Sequence, residues 1–453
     1  MTTSSIAHPG GQPAPTGNAT GRDIAHAVGG DTEHVNPSDV AVGVVIGRAS
    51  EYFDFFVYGI ASALVFPSVF FPFADRLTGT LYAFAIFALA FIARPFGTAL
   101  SMAIQRRYGR EAKLTAAIFM LGTATAGIAF LPTYESVGAT AIVLLAIFRI
   151  AQGIALGGSW DGLPSLLAMS APQNRRGWYA MLGQLGAPFG FLTAATLFAF
   201  LTASIPAEDF LSWGWRYPFY VAFAINVVAL FARLRLVAAT EYSKQLDERE
   251  LEPTGIVEIA RAQGGNILIG AFAALASYAL FHLVTIFPLS WIALNRSQDI
   301  NDVLVVQLIG AFLAILGTMA SGVIADKFGR RNTLGTMAVL IALFAIASPW
   351  LLGGAKVAQD AFLLIGFALL GLSYGQAAGT VTANFAKRYR YTGAALTSDF
   401  AWLFGAAFAP LVALGLSTRF GLGAVSVYLL SGVACTLLAL RINKALETDR
   451  PKA

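Results

Sequence analysis

From Val40 onward, long apolar runs alternate with short polar connections. Twelve such runs lie at approximately 40–66, 78–104, 114–131, 137–169, 178–204, 217–236, 266–294, 303–325, 333–352, 358–386, 394–417 and 422–441. Each approaches or exceeds the roughly 20 residues a helix needs to cross a bilayer. The pattern predicts an all-α polytopic membrane protein with twelve transmembrane helices in two pseudo-symmetric six-helix bundles. The fourth run is too long for a perpendicular helix and is expected to tilt or project beyond the membrane. Residues 1–38, rich in Gly, Pro, Thr and Ala, cannot build a packed core and read as a disordered cytoplasmic tail. They lack the basic start, apolar core and small-residue cleavage site of a signal peptide. The largest hydrophilic connection, 237–264, has a charged, helix-compatible stretch at Glu241–Glu252. It reads as a cytoplasmic linker between an N-terminal bundle (39–236) and a C-terminal bundle (265–441), with a short cytoplasmic tail at 442–453.

Composition agrees. Of 453 residues, 57% are apolar and only 12% charged, against roughly 25% charged in a soluble domain. A net charge of +5 would suit nucleic acid in a soluble protein. Here the cations sit in short loops between apolar runs, so no nucleic-acid partner is expected. Twenty-two of the 30 Lys and Arg lie on the side of the N-terminal tail and five (Arg76, Arg216, Arg296, Lys356, Arg419) on the other, with Arg48, Arg94 and Arg149 inside spans. That asymmetry puts both termini in the cytoplasm of a bacterial-type inner membrane. The single cysteine, Cys435, excludes an intrachain disulfide, and no Cys/His spacing suits a metal, so no cofactor is expected.

One connection stands out. Gly322-Val-Ile-Ala-Asp326-Lys327-Phe328-Gly329-Arg330-Arg331 is a cationic turn between two apolar runs. Asp326 can accept hydrogen bonds from the free backbone donors of a neighbouring helix, or pair with Arg330 or Arg331. A fainter echo, Arg106-Arg107-Tyr108-Gly109-Arg110-Glu111, lies 220 positions earlier, so the chain repeats itself at about half its length. Asp326, Arg330, Arg331 and Arg106 are candidate gate residues, since a charge cluster at a helix junction can hold one conformation and release another.

Charges inside the bilayer must be paired, solvated or functional. Arg48, Glu51 and Asp54 follow at i, i+3, i+6 on one helical face, which continues to Tyr58 and is expected to look into a central cavity. Arg48 can neutralise one carboxylate and leave the other free to take and release a proton. Asp54 is the first candidate carrier and Glu51 the second, and a permanently ionised structural pair is the competing reading. Arg94 and Arg149 lie deep in the second and fourth spans, where a guanidinium fork suits a carboxylate substrate. Arg149 equally suits a structural tie to Glu51 or Asp54. Asp161 is a further proton-site or gate candidate. In the second half, Tyr278, His282, Gln376, Asn384, Asp399 and Trp402 are expected to line the cavity. Asp399, near the start of its span, suits a gate as well as the substrate site. His282, the only histidine within a span, suits a hydrogen-bonded neutral ring or a proton relay. The glycine-rich run Gly153–Gly162 follows no strand and precedes no Gly-Lys-Ser/Thr, so close helix packing accounts for it better than a phosphate loop.

The chain resembles the major facilitator superfamily, and within it the metabolite:proton symporters, over nearly all of residues 40–441. Gly322…Arg331 matches the family's G-x-x-x-D-[RK]-x-G-R-[RK] loop, and Arg149-x-x-Gln152-Gly153 its fourth-helix R-x-x-Q-G signature. Gly186-Ala-Pro188-Phe-Gly190 resembles the fifth-helix motif, with Ala409-Pro410 in the corresponding place of the second half. Glu51-Tyr-Phe-Asp54-Phe-Phe-Val-Tyr58-Gly followed by Phe70-Phe-Pro72, and Trp213-Gly-Trp215-Arg216-Tyr-Pro218-Phe219, are similar to its first-helix signature and its turn into helix six. Three positions depart: Arg106 stands where the family carries Asp, the carboxylate of the G-G-E-W-G-G pattern is displaced to Asp161, and Asp399 is additional.

The resemblance implies a proton-coupled importer working by alternating access. Its cargo would be an organic acid or a zwitterionic osmolyte of the betaine or proline type. About a dozen residues, without heptads, follow the last span, which favours the organic anion over osmosensing relatives with a C-terminal coiled coil. Small-molecule substrate, protons and the lipid bilayer are the expected partners, and a monomer the functional unit. A membrane-embedded enzyme would need a nucleophile–base pair or metal ligands within spans, and none is recognisable. A receptor that binds without turnover remains the other alternative.

Overall fold

A computed structural model describes residues 37–159, 171–237, 252–295, 297–378 and 385–443. The long apolar runs form helices there, and no strand occurs among the described residues. The first half comprises α1 (Pro37–Leu64), α2 (Arg76–Tyr108), α3 (Arg110–Ala129), α4 (Ala139–Gly158), α5 (Arg176–Ser204) and α6 (Tyr217–Val237). In the second half α7 runs through Ile256–Ala273 and Leu275–Asn295, then α8 (Ile300–Phe328), α9 (Arg330–Leu352), α10 (Lys356–Tyr374), α11 (Arg390–Phe420) and α12 (Leu422–Ile442). Ten of these are apolar and long enough to cross a membrane on that ground alone, and α1 and α6 complete the twelve. The apolar window of α1 is interrupted by Arg48, Glu51 and Asp54. Helix α7 begins at Ile256, ahead of its apolar run. The extension of the fourth span beyond Ser159 and the charged Glu241–Glu252 stretch lie outside the described residues, apart from Glu252.

Helix pairing repeats across the halves. In the first, α1 packs on α5, α2 on α4 and α3 on α6; in the second, α7 packs on α11, α8 on α10 and α9 on α12. The halves meet where α5 lies against α8 and α2 against α11, again one pair and its counterpart. Two six-helix bundles related by a pseudo-two-fold axis have this pairing.

Small residues set how closely helices approach, because lipid offers no hydrophobic drive for helix association. A Cβ on Gly153 or Gly157 of α4 would run into the backbone of Ala90 or Arg94 in α2. At the corresponding crossing, a Cβ on Gly371 of α10 would meet the backbone of Ala314 in α8. The glycine-rich run is therefore a packing surface. Gly109 and Gly329, at φ +85° and +82°, end α2 and α8 in left-handed turns that send the chain straight into α3 and α9. Both turns lie at the end of the molecule that bears the cationic loops, called the basic end below.

Candidate functional site

A cluster of aromatic side chains from both halves fills the centre. Helix α1 supplies Tyr52, Phe55 and Phe56, and α2 supplies Phe87 and Phe91. Opposite them, α7 gives Tyr278, Phe281 and His282, α10 gives Tyr374, and α11 gives Trp402. Phe56 stacks on Phe281 with centroids 5.4 Å apart, and Phe91 on Trp402 at 5.8 Å. The Tyr52 and Tyr374 hydroxyls are hydrogen-bonded across the halves. His282 is fully buried, 5.2 Å from each of the Phe55, Phe87 and Phe281 rings, and its Nε2 has no hydrogen-bond partner among the described residues. Of the second-half residues singled out in the sequence, Tyr278, His282 and Trp402 are part of this cluster.

The charged face of α1 does not behave as a unit. Arg48 and Glu51 form an ion pair at 2.7 Å, with the guanidinium 5.5 Å above the Tyr52 ring. Asp54 and Tyr58 turn away from the centre into the first bundle, which corrects the expectation of one continuous cavity face. The reason is angular: at 100° per residue Tyr52, Phe55 and Phe56 already occupy the central arc, leaving Asp54 to point toward α3. There its Oδ1 accepts from the Thr125 hydroxyl at 2.7 Å, and the Thr125 oxygen accepts from Gln152 Nε2 at 2.9 Å. Gln152 Oε1 accepts from Arg149 Nη1 at 3.0 Å, and Arg149 Nε donates to the Phe87 carbonyl at 3.2 Å. The Arg149 guanidinium lies over Tyr58, 3.9 Å from its centroid, and 4.8 Å from that of Phe87. Arg149 is therefore tied to α1 through a ring and a relay of two polar side chains, not by a direct ion pair.

Two sets of contacts, called latches below, join the halves at the basic end. On the α5–α8 side Asp326 accepts from the backbone N–H of Gly177 at 2.6 Å and of Trp178 at 3.1 Å, the free donors at the start of α5. Arg330 reaches the Arg176 carbonyl at 3.4 Å and Gln376 Oε1 at 3.5 Å, with half-buried Arg331 following it. Gln376 donates to the Gly177 carbonyl at 3.2 Å and the Ser321 hydroxyl at 3.3 Å. It belongs to this latch, not to the central lining, because it lies beyond the end of α10 at Tyr374.

On the α2–α11 side Arg94 Nε pairs with Asp399 Oδ1 at 2.7 Å, and Thr98 donates to Asp399 Oδ2 at 2.5 Å. Farther out, Tyr391 donates to Gln105 Oε1 at 3.1 Å and accepts from Lys113 at 3.0 Å. Arg106, where the repeat has Asp326, reaches instead to the Thr254 carbonyl at 3.4 Å, while Thr254 N–H donates to Thr392. The cross-half contact here is rewired to the neighbouring Gln105. Asp161 and Asn384 lie outside the described residues.

Two halves with matched helix pairings, a centre built from both, and a junction loop bonded to the opposite half define a transporter architecture. The model of the Major Facilitator Superfamily matches residues 44–410. The chain belongs to that superfamily. Among the superfamily proteins it resembles is the inner membrane metabolite transport protein YhjE of Escherichia coli K12, 35% identical over 410 residues, covering 89% of this chain and 93% of the relative. The shikimate transporter of the same strain is 31% identical over 414 residues, covering 89% and 94%. The proline/betaine transporter of Salmonella typhimurium LT2 is 28% identical over 366 residues, covering 77% and 72%. The crystal structure of a D-xylose-proton symporter matches with TM-score 0.68 at 18% identity over 91% of this chain and 98% of that one, which establishes the shared fold. As a Major Facilitator Superfamily member, the protein is a multi-pass membrane transporter and not an enzyme.

Proposed function

We propose that the protein imports a small organic anion, a carboxylate metabolite, in symport with protons across a bacterial inner membrane. It does so by alternating access, with the basic end and both termini in the cytoplasm and one chain as the working unit. The observation that carries this reading is the arrangement of latches. Asp326 and the Arg94–Asp399 pair each join opposite halves at one end of a centre lined by both. Breaking them while keeping contacts at the other end is what an inward opening requires. Asp326, Arg330 and Gln376 form one gate, and Asp399 with Gln105 and Tyr391 the other. Arg106 supports the second by holding the Thr254 segment.

Arg94 is the cation best placed to receive a cargo carboxylate, because it borders the aromatic centre through Phe91 on the same helix. Tyr278, His282 and Trp402 supply the walls. Asp54, bonded to a hydroxyl instead of a cation, is the proton carrier. Its protonation would reach the centre through Thr125, Gln152 and Arg149, whose guanidinium lies 4.8 and 5.9 Å from the centroids of Phe87 and Phe55, rings that line it. Glu51, already paired with Arg48, serves as a fixed charge.

A zwitterionic cargo is the second reading, favoured by the density of rings around Tyr278, Phe281 and Trp402, since aromatic faces suit a quaternary ammonium. Uptake of labelled shikimate, succinate, benzoate and glycine betaine into proteoliposomes, with and without an acid-outside pH gradient, separates the two. Gradient-dependent accumulation of a carboxylate supports the first reading, of betaine the second. Binding of the panel without uptake under either condition would mark a receptor and refute both.

A further inference from the structure

The buried Arg94–Asp399 pair does more than join two helices. It occupies the floor of the aromatic centre, one helical turn below the Phe91–Trp402 stack, since Arg94 follows Phe91 by three residues and Asp399 precedes Trp402 by three. That spacing is about 4.5 Å along each helix axis, so a cargo seated against the stack has the guanidinium within reach. Asp399 presents Arg94 with the group a carboxylate cargo would present. It also keeps an alternative partner, the Thr98 hydroxyl, on its other oxygen.

Each helix carries a local irregularity at this level. Pro95 follows Arg94 directly inside α2, removing a backbone donor from the turn that carries the pair. In α11 a π-helical turn, Trp402–Ala406, separates Arg390–Ala401 from Ala409–Phe420. Such turns concentrate at functional sites and bend the helix. The segment bearing Asp399 and Tyr391 is therefore hinged at Trp402, beside the aromatic centre. Against α2 the packing is tight, because a Cβ on Gly157 would strike the Arg94 and Thr98 backbone. The π-helical turn lies on the α11 side of the pair.

We propose that Asp399 is an internal competitor for the cargo-binding cation. A cargo carboxylate takes Arg94 from Asp399, the single remaining bond from Thr98 no longer holds the segment, and the outer segment of α11 swings about the π-helical turn, opening the basic end and leaving Asp399 to water. Cargo recognition and gate release are then one exchange of ion-pair partners, which prevents the basic end from opening while Arg94 is unoccupied. This rests on the carboxylate reading above and assigns Asp399 a positioning role, acting through Arg94.

The test uses full-length protein with Cys435→Ala and spin labels on Tyr108→Cys and Ala386→Cys, exposed positions at the ends of α2 and before α11. Asp399→Asn is expected to lengthen the label-to-label distance in the absence of cargo and to lower the Kd for shikimate, or for whichever carboxylate the wild type accumulates best, about tenfold. Removing a competitor raises the fraction of binding-competent sites by that order. The wild type should reach the same lengthened distance only on adding the carboxylate. Arg94→Gln should lengthen it without cargo and abolish carboxylate binding, and Arg94→Gln with Asp399→Asn should remain open and non-binding. A purely structural pair would instead weaken binding in Asp399→Asn. Wild-type uptake of carboxylates with an unchanged or higher Kd in Asp399→Asn overturns this inference and leaves the functional reading standing. Absence of carboxylate uptake by the wild type overturns both.

Discussion

Asp326→Asn isolates one latch with almost no change of shape. Two backbone donors at the start of α5 point at the carboxylate, at 2.6 and 3.1 Å. A hydrogen bond to a charged group contributes about 1.5–3 kcal/mol, and a neutral one about 0.5–1.5 kcal/mol. Asparagine keeps one acceptor oxygen, so the variant loses one bond and weakens the other. Allowing for partial exposure, the closed arrangement loses about 2 kcal/mol relative to the open one, roughly a thirtyfold change in their ratio. Met181 reports on it, because this fully buried side chain of α5 borders Gly322 of α8. In a Met181→Cys, Cys435→Ala background, maleimide labelling should therefore accelerate by about an order of magnitude or more in the Asp326→Asn variant. Addition of Arg330→Gln should accelerate it less than additively, since both residues hold the same segment. A labelling rate within twofold of the parent would refute the latch as a determinant of closure.

Other parts of the molecule make their own demands. Gly157→Ala should place a methyl against the α2 backbone and cost about 1–3 kcal/mol through overpacking, read as a lower unfolding temperature in detergent with a matching loss of uptake. Arg149→Lys keeps the charge but loses the guanidinium contact with the Tyr58 ring and the two-point bonding to Gln152 and Phe87, so gradient-driven uptake should fall at least tenfold while the protein still inserts and purifies. Tyr374→Phe removes the cross-half hydroxyl pair and should shift the closed arrangement by about 1 kcal/mol, seen as faster Met181→Cys labelling without loss of stability.

Much of the fold was legible because bilayer thickness dictates helix length, and glycine with charge marks the junctions. For the Gly322–Arg331 loop the chemistry left two bondings open, backbone donors of a neighbouring helix or a pair with Arg330 or Arg331, and Asp326 makes the first. Contacts between distant spans were not legible. Thr98, Gln105, Thr125, Lys113, Tyr391 and the Tyr52–Tyr374 pair are ordinary polar residues on apolar helices, and nothing local reveals which neighbour each faces. Gln152 had been visible only as part of the R-x-x-Q-G signature, although it links Arg149 to Thr125. Helical periodicity put Arg48, Glu51, Asp54 and Tyr58 on one side of α1, but periodicity does not say which side faces the second bundle. The adjacent run of aromatic residues at Tyr52, Phe55 and Phe56 was the better guide. In the coupling proposed above, a proton on Asp54 acts from within the first bundle.

That placement makes the coupling claim sharp. Proteoliposomes holding the wild type or Asp54→Asn are compared for accumulation of the best carboxylate under an acid-outside gradient and for counterflow exchange without one. The account predicts that Asp54→Asn abolishes accumulation and retains exchange. Accumulation by Asp54→Asn at the wild-type level would contradict it.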